Sequence, residues 1–280
     1  MFDKLNAISL EPIKVERIAI AIKDLPSRLV GKTIVQLSDL HYDGIRLNEE
    51  TLNKAIALSN AENPDLVVIT GDFVTDNPQP IEELSQHLAC LRSKHGVYGC
   101  LGNHDLVPKN AKSIIIQALA KINLRILWHE VAYPLGDDLA IAGLPDFWSP
   151  EFDPAIALKQ IPQDIPRIVL SHNPDSASVL KQWRVDLQLS GHTHGGQIVI
   201  PYYGAAAAAL PQIRQQIPPE IRKHIPFLKN NYSKVVRHWN WSEGWHQVGR
   251  NQLYVNRGLG TYQPGRFNCP PEVTVITLES

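Results

Sequence analysis

Five stretches of this chain run through Val, Ile or Leu and then stop on Asp, Asn or His. They are TIVQLSDLH (33–41), LVVITGD (66–72), VYGCLGNHD (97–105), IVLSH (168–172) and LQLSGHTH (187–194). A buried strand reads this way when its C-terminal end hands a polar group to a shared site. Carboxylate oxygens, an amide oxygen and imidazole nitrogens together form a donor mixture for divalent first-row metal ions. Asp39 and His41 stand at i and i+2, so on extended backbone both side chains leave on one side. Asp72 can offer an oxygen to each of two ions, Asn103 a neutral carbonyl oxygen, and His172, His192 and His194 three imidazoles. That makes seven candidate ligands for two ions, with Asp72 as the bridge.

Water held between two divalent cations loses a proton more readily. Two carboxylates and one hydroxide leave such a pair with about one net positive charge, which suits an anionic phosphoryl group. The expected reaction is phosphoester hydrolysis, a metal-bridging hydroxide attacking phosphorus in line. The expected cofactors are two divalent or mixed-valence ions, with Mn²⁺, Fe²⁺/Fe³⁺, Zn²⁺ and Co²⁺ all compatible. His104, next to Asn103, is placed to act on the leaving-group oxygen, and Asp105 to fix its ring.

The elements that must position these residues begin with KVERIAIAI (14–22), a strand near a sheet edge, and Thr33–Leu37, a nearly all-apolar central strand. Residues 48–63 predict a helix capped by Asn48, with Leu52, Ala55, Ile56 and Ser59 on one face. Strand, helix, strand order predicts right-handed parallel units, repeated through helices near 80–93 and 109–122. Shorter strands at 125–128, 131–135 and 139–143, with the Gly136-Asp137-Asp138 turn, predict a hairpin. A helix is expected over 149–161, another over Asp175–Gln182, and closing strands at 252–256 and 272–278. Residues 197–246 read as a cap or insertion within a single 1–280 domain: they hold the alanine run 205–209, five Pro, and Trp239, Trp241 and Trp245. Trp239 and Trp241 could share a strand face.

The bulk composition narrows the class. Of 280 residues 44% are hydrophobic, enough for a sizeable core. Lys and Arg number 27 against 28 Asp and Glu, so no basic nucleic-acid surface is expected. The three Cys have no zinc-site spacing and fit a reducing compartment. The first residues are too interrupted for a signal peptide or anchor. The expected location is cytoplasmic, with peripheral contact at the inner face of a membrane through 197–246 left open.

DLH, GD, GNHD, SH and GHTH in this order resemble the five blocks of the calcineurin-like metallophosphoesterases. HGGQIVIP and LYVNRGLGTYQPGRFNCPPEVTVITL resemble a bacterial branch that includes membrane-associated members and a UDP-2,3-diacylglucosamine pyrophosphatase. The resemblance implies an α/β fold, a four-layer αββα sandwich of two mixed β-sheets flanked by helices. It also implies a ligand division. Asp39, His41 and His194 would hold one ion, Asn103, His172 and His192 the other, and Asp72 would bridge. His104 would contact the phosphoryl or leaving group with Asp105 behind it. One block departs: the branch's GDFVD is GDFVTD here, with Thr75 in the acidic position and Asp76 one later.

Arg257 and Arg266 suit phosphate recognition because a guanidinium fork pairs with two oxygens. Asn256 would order their loop and Tyr262 would edge the pocket. The expected partner is an anionic phosphate ester, lipid-linked or nucleotide-linked, with the oligomeric state open. Two alternatives stand beside this reading: a soluble nucleotide phosphodiesterase or phosphoprotein phosphatase, and a non-catalytic metal-bound scaffold for phospholipid or protein.

Overall fold

The structure, a computed structural model, describes residues 11–223, 236–263 and 265–280. In chain order the first half forms β1 (Lys14–Ala21), β2 (Thr33–Leu37), α1 (Glu49–Ala61), β3 (Leu66–Thr70), α2 (Ile81–Leu88), β4 (Val97–Cys100), α3 (Ala111–Ala120) and β5 (Leu124–Ile126). Then come β6 (Glu130–Ala132), β7 (Ala140–Gly143), α4 (Pro154–Leu158), β8 (Arg167–Leu170), α5 (Ala177–Leu180) and β9 (Leu187–Ser190). The remainder holds β10 (Val199–Ile200), β11 (Gly204–Ala205), α6 (Ala206–Gln216), α7 (Pro219–Arg222), β12 (Gly244–Val248), β13 (Asn251–Val255) and β14 (Glu272–Glu279).

Two six-stranded mixed sheets result, ordered β1-β14-β2-β3-β4-β5 and β12-β13-β9-β8-β7-β6. The side-chain alternation of each strand explains why they stack. Ile34, Leu66 and Val68 face inward to meet Ile168, Leu170, Leu187 and Leu189 of the other sheet. Val35, Leu37, Val67 and Ile69 face outward and pack under α1, α2 and α3. On the far side Ala140, Ala142 and Val169 pack against α4 and α5. Strands buried on both faces must be apolar throughout, which is why these runs lack the usual polar alternation. The architecture is the helix–sheet–sheet–helix sandwich expected from the resemblance.

Helix α1 begins as its sequence predicts. The Asn48 side chain accepts from Thr51 N–H, and Leu52, Ala55, Ile56 and Ser59 form the buried face. β2, β3, β4 and β5 are parallel neighbours, and β6 and β7 close the expected hairpin. Two expectations are corrected. The helix within 149–161 is short, only Pro154–Leu158. Trp239 and Trp241 lie in a tight helical turn, Trp239–Trp241, and so share no strand face.

Candidate metal centre

β2, β3 and β4 of one sheet and β8 and β9 of the other end at one rim. Past these ends come Asp39 and His41, Asp72, Asn103, His172, and His192 and His194. The expectation of extended backbone at Asp39 and His41 is wrong. Asp39, His41, Asp72, His192 and His194 all have left-handed φ, between +43° and +71°. For non-glycine residues that conformation costs on the order of 1 kcal/mol each, and such residues cluster at functional sites. The kinks turn the side chains inward, while Asp39 N–H and His41 N–H still bond to Gly71 O and Asp72 O as if the sheet continued.

The polar atoms then converge. His41 Nε2 lies 3.2 Å from His194 Nε2, which is 3.4 Å from Asp39 Oδ1. His172 Nε2 lies 3.0 Å from Asp72 Oδ2 and 3.2 Å from His192 Nδ1. The same Asp72 oxygen is 3.5 Å from His41 Nε2, so Oδ2 stands between the two groups, while Oδ1 accepts from His104 N–H. Asp39, His41 and His194 make one trio with metal-holding spacing, Asp72, His172 and His192 another, and His41, Asp72 and His104 a third.

Outer contacts fix which ring nitrogens face inward. His172 Nδ1 lies 2.7 Å from Thr70 O and His194 Nδ1 3.1 Å from Gly260 O; only a protonated nitrogen bonds to a carbonyl, so both Nε2 atoms point at the site. Tyr262 Oη meets His41 Nδ1 at 3.1 Å. Ser38 Oγ–H donates to Asp39 Oδ2 at 2.6 Å, and His192 N–H reaches the same carboxylate. Glycines allow the close approach: a Cβ on Gly102 would stand 2.2 Å from Asp72 Oδ1, and one on Gly191 2.1 Å from Asp39 Oδ2.

Burial and charge act against each other here. Burial lowers the His194 ring to about 4 and the His41 ring well below its ordinary value. Burial also disfavours a charged His172, but Asp72 outweighs it and raises that ring well above the usual range. Asp72 is held low in turn, His172 being its strongest counter to burial. Metal binding would therefore displace a proton from His172.

Two divalent ions fit this donor set. With its proton on Nδ1, neutral His194 turns a bare Nε2 to within 3.2 Å of His41 Nε2 and 3.4 Å of Asp39 Oδ1, and a cation among them would satisfy all three. Asn103 Oδ1 is buried with no hydrogen-bond partner. A buried carbonyl oxygen left bare is costly, and the next residue's N–H, that of His104, bonds Asp72 Oδ1, so the turn carrying Asn103 lies at the site and its oxygen could serve as a ligand.

Residues 32–196 match the family described as Calcineurin-like phosphoesterase. The chain belongs to that family. It is 34% identical to the uncharacterized metallophosphoesterase YkuE of Bacillus subtilis strain 168, over 97% of this chain and 88% of that one. It is 30% identical to the phosphodiesterase YaeI of Escherichia coli K12, over 88% and 81%. The UDP-2,3-diacylglucosamine pyrophosphatase LpxG of Chlamydia trachomatis serovar D is 29% identical, over 95% and 90%. Family membership and the paired ligand trios make this calcineurin-like chain a metal-dependent hydrolase with a dinuclear centre.

Other candidate residues fall elsewhere. Asp105 does not stand behind the His104 ring. Its oxygens accept from Phe73, Val74 and Gly102 N–H, tying the turn after β3 to the turn after β4. Burial, then Asp72, raises this carboxyl to about 7. The partner of His104 is Asp76, whose Oδ1 lies 2.8 Å from Nδ1. The extra residue in GDFVTD thus leaves a carboxylate in reach of the ring.

Arg257 is locked among Glu16, Glu243 and Glu272, and its side chain is 11% exposed. Arg266 is buried and donates to the carbonyls of Arg257, Gly258, Gly260 and Cys269. Both guanidiniums are thus engaged within the protein, and Arg266 braces the loop that carries Gly260, the acceptor for His194. Asn256 orders the same loop, bonding Thr274 Oγ1 and Gly258 N–H. Tyr262 stands against His41, and Arg46 stacks on its ring at 4.6 Å.

Sequence reading missed Asp146. Its Oδ1 accepts from Trp148 N–H, and its Oδ2 is buried without a partner. LAIAGLPD (139–146) is itself an apolar run ending on Asp, and that signal was available.

Proposed function

We propose that this chain hydrolyses a phosphate or pyrophosphate ester carried on a lipid-linked substrate, at a centre where Asp39, His41 and His194 hold one ion, Asn103, His172 and His192 the other, and Asp72 lies between. When bound, two such ions supply Lewis acidity and a water acidic enough to attack near neutral pH. The protein's own groups do the rest. Ser38, Thr70 O, Gly260 O and Tyr262 hold the ligand side chains in one orientation, so little reorganisation accompanies the reaction. His104 stands edge-on to His41, ring centroids 4.9 Å apart, and its side chain is 28% exposed, open to substrate arriving from solvent. With Nδ1 bound to Asp76, Nε2 is the atom that delivers a proton to the leaving oxygen.

The lipid reading rests on one observation. Just beyond His194, the β10–β11 hairpin exposes Ile200 (45%), Tyr202 (105%) and Tyr203 (85%), beside Phe267 (57%). It is rooted in the site's own loops: Gln197 N–H bonds His194 O, Val199 N–H bonds Phe267 O, and Gln197 Oε1 accepts from Tyr262 N–H. Aromatic and aliphatic side chains displayed together in this way favour a membrane interface. In this reading the described parts of the expected 197–246 cap, 197–223 and 236–246, meet acyl chains while the phosphate enters the metal centre, with the protein peripheral on the inner face; residues 224–235 of that expected cap lie outside the described residues. No helix among the described residues is long and apolar enough to cross a membrane.

A nucleotide-linked substrate has an observation of its own: Trp148, 38% exposed, carries the Arg237 guanidinium 4.4 Å over its ring. The test compares a soluble chromogenic phosphodiester with a lipid-linked pyrophosphate in mixed micelles, for wild type and Tyr202→Ser/Tyr203→Ser. The lipid reading expects KM to rise about tenfold on micelles only. Equal KM values for both proteins on micelles, with preference for a soluble nucleotide ester, would overturn it.

A further inference from the structure

Charge is shared unevenly between the two halves of the centre. The group of Asp39, His41 and His194 has a carboxylate of its own as well as access to Asp72. The group of His172 and His192, with Asn103 nearby, offers neutral donors and only the shared Asp72. A divalent ion there is short of negative charge.

Asp146 lies on that side. In the second sheet β9, β8 and β7 are consecutive neighbours, and past their ends come His192, His172 and Asp146 in turn. The pairing persists beyond β7, since Leu144 N–H donates to Leu170 O, two residues before His172. Asp146 is fully buried; one oxygen is fixed by Trp148 N–H and the other, Oδ2, has no donor. Burial raises this carboxyl, and the largest opposing influences are the charges of the His172 and His192 rings. It is absent from the trios with metal-holding spacing, so it acts from outside the direct ligand set. A buried carboxylate oxygen with no donor is costly unless a positive charge or a bound water lies close by.

We propose that Asp146 is a positioning residue for the ion held by Asn103, His172 and His192: it supplies the counter-charge that this half of the centre lacks, without ligating the ion. The inference rests on the two-ion assignment and is independent of the substrate. Outer groups of this kind change metal affinity by about 10- to 100-fold when removed.

The experiment is Mn²⁺ titration calorimetry of the metal-free full chain, wild type against Asp146→Asn, which keeps the acceptor for Trp148 N–H. Anomalous density then shows which position has emptied. Asp146→Asn should weaken one ion about 10- to 100-fold, the one beside His172 and His192, and leave the other within twofold. Without metal the variant should melt no lower than wild type, because an unpaired buried charge has been removed. Should Asp146→Asn fold poorly, Asp146→Ser, which also retains an acceptor, takes the same test. Two ions bound by the variant at wild-type affinity would overturn the proposal. Equal weakening of both ions would also overturn it, as the mark of a general packing role. A wild type that binds fewer than two ions would remove the assignment beneath it.

Discussion

At the scale of single residues, the proposed chemistry rests on side chains beside the seven candidate ligands as well as on the ligands themselves. His104 and Asp76 are the pair whose role is most open to direct measurement. If His104 Nε2 protonates the leaving oxygen, His104→Ala should lower kcat by about 10²- to 10⁴-fold with metal content unchanged. Asp76→Asn keeps the ring but replaces its charged partner, and a smaller loss, roughly tenfold, is expected. Steady-state kinetics on a chromogenic diester, with metal analysis of each variant, check both. Unchanged kcat in His104→Ala would remove the ring from the chemistry. The ligand types themselves were legible, because Asp, Asn and His after apolar runs have few other uses in that order. The two arginines were not. A guanidinium fork suits substrate phosphate and internal carbonyls equally, and only the packing shows Arg266 surrounded by the carbonyls of its own loop.

At the scale of elements, the strand ends must be held in register for the ligands to meet. Asp65, just before β3, does this for β2 and β3: Oδ2 accepts from Thr33 N–H, and Oδ1 meets Lys32 at 2.9 Å and Lys94 at 3.4 Å. Burial raises this carboxyl, but Thr33 N–H and the two lysines outweigh it and bring it down to about 2. A folded value below the unfolded one means stability present above about pH 4 and lost as pH falls toward 2, worth at most about 2 kcal/mol. Asp65→Asn should therefore be less stable than wild type in urea at pH 7, with the gap closing near pH 2. A gap independent of pH would contradict this. The elements were legible where local rules agree, as in α1 with its Asn48 cap and buried face. The left-handed turns at Asp39, His41 and Asp72 were not, since nothing in a non-glycine residue's type gives the sign of φ; the tertiary fold imposes it.

At the scale of the molecule, the two sheets contribute different ligands to one rim. Asp39, His41, Asp72 and Asn103 follow strands of the first, and His172, His192 and His194 follow strands of the second. Ions bound between them would tie the sheets together, and metal binding and folding stability would then be linked. The sandwich could be anticipated from the order of apolar runs. The hairpin at 199–205 could not, because its pairing is only two residues long on each side. The most direct test of the whole account is anomalous diffraction at the manganese edge from Mn²⁺-replete crystals. Two ions per chain are expected, one against Asp39, His41 and His194, the other against Asn103, His172 and His192, with Asp72 touching both. A single ion, or an Asp72 carboxylate turned away from both positions, would contradict it.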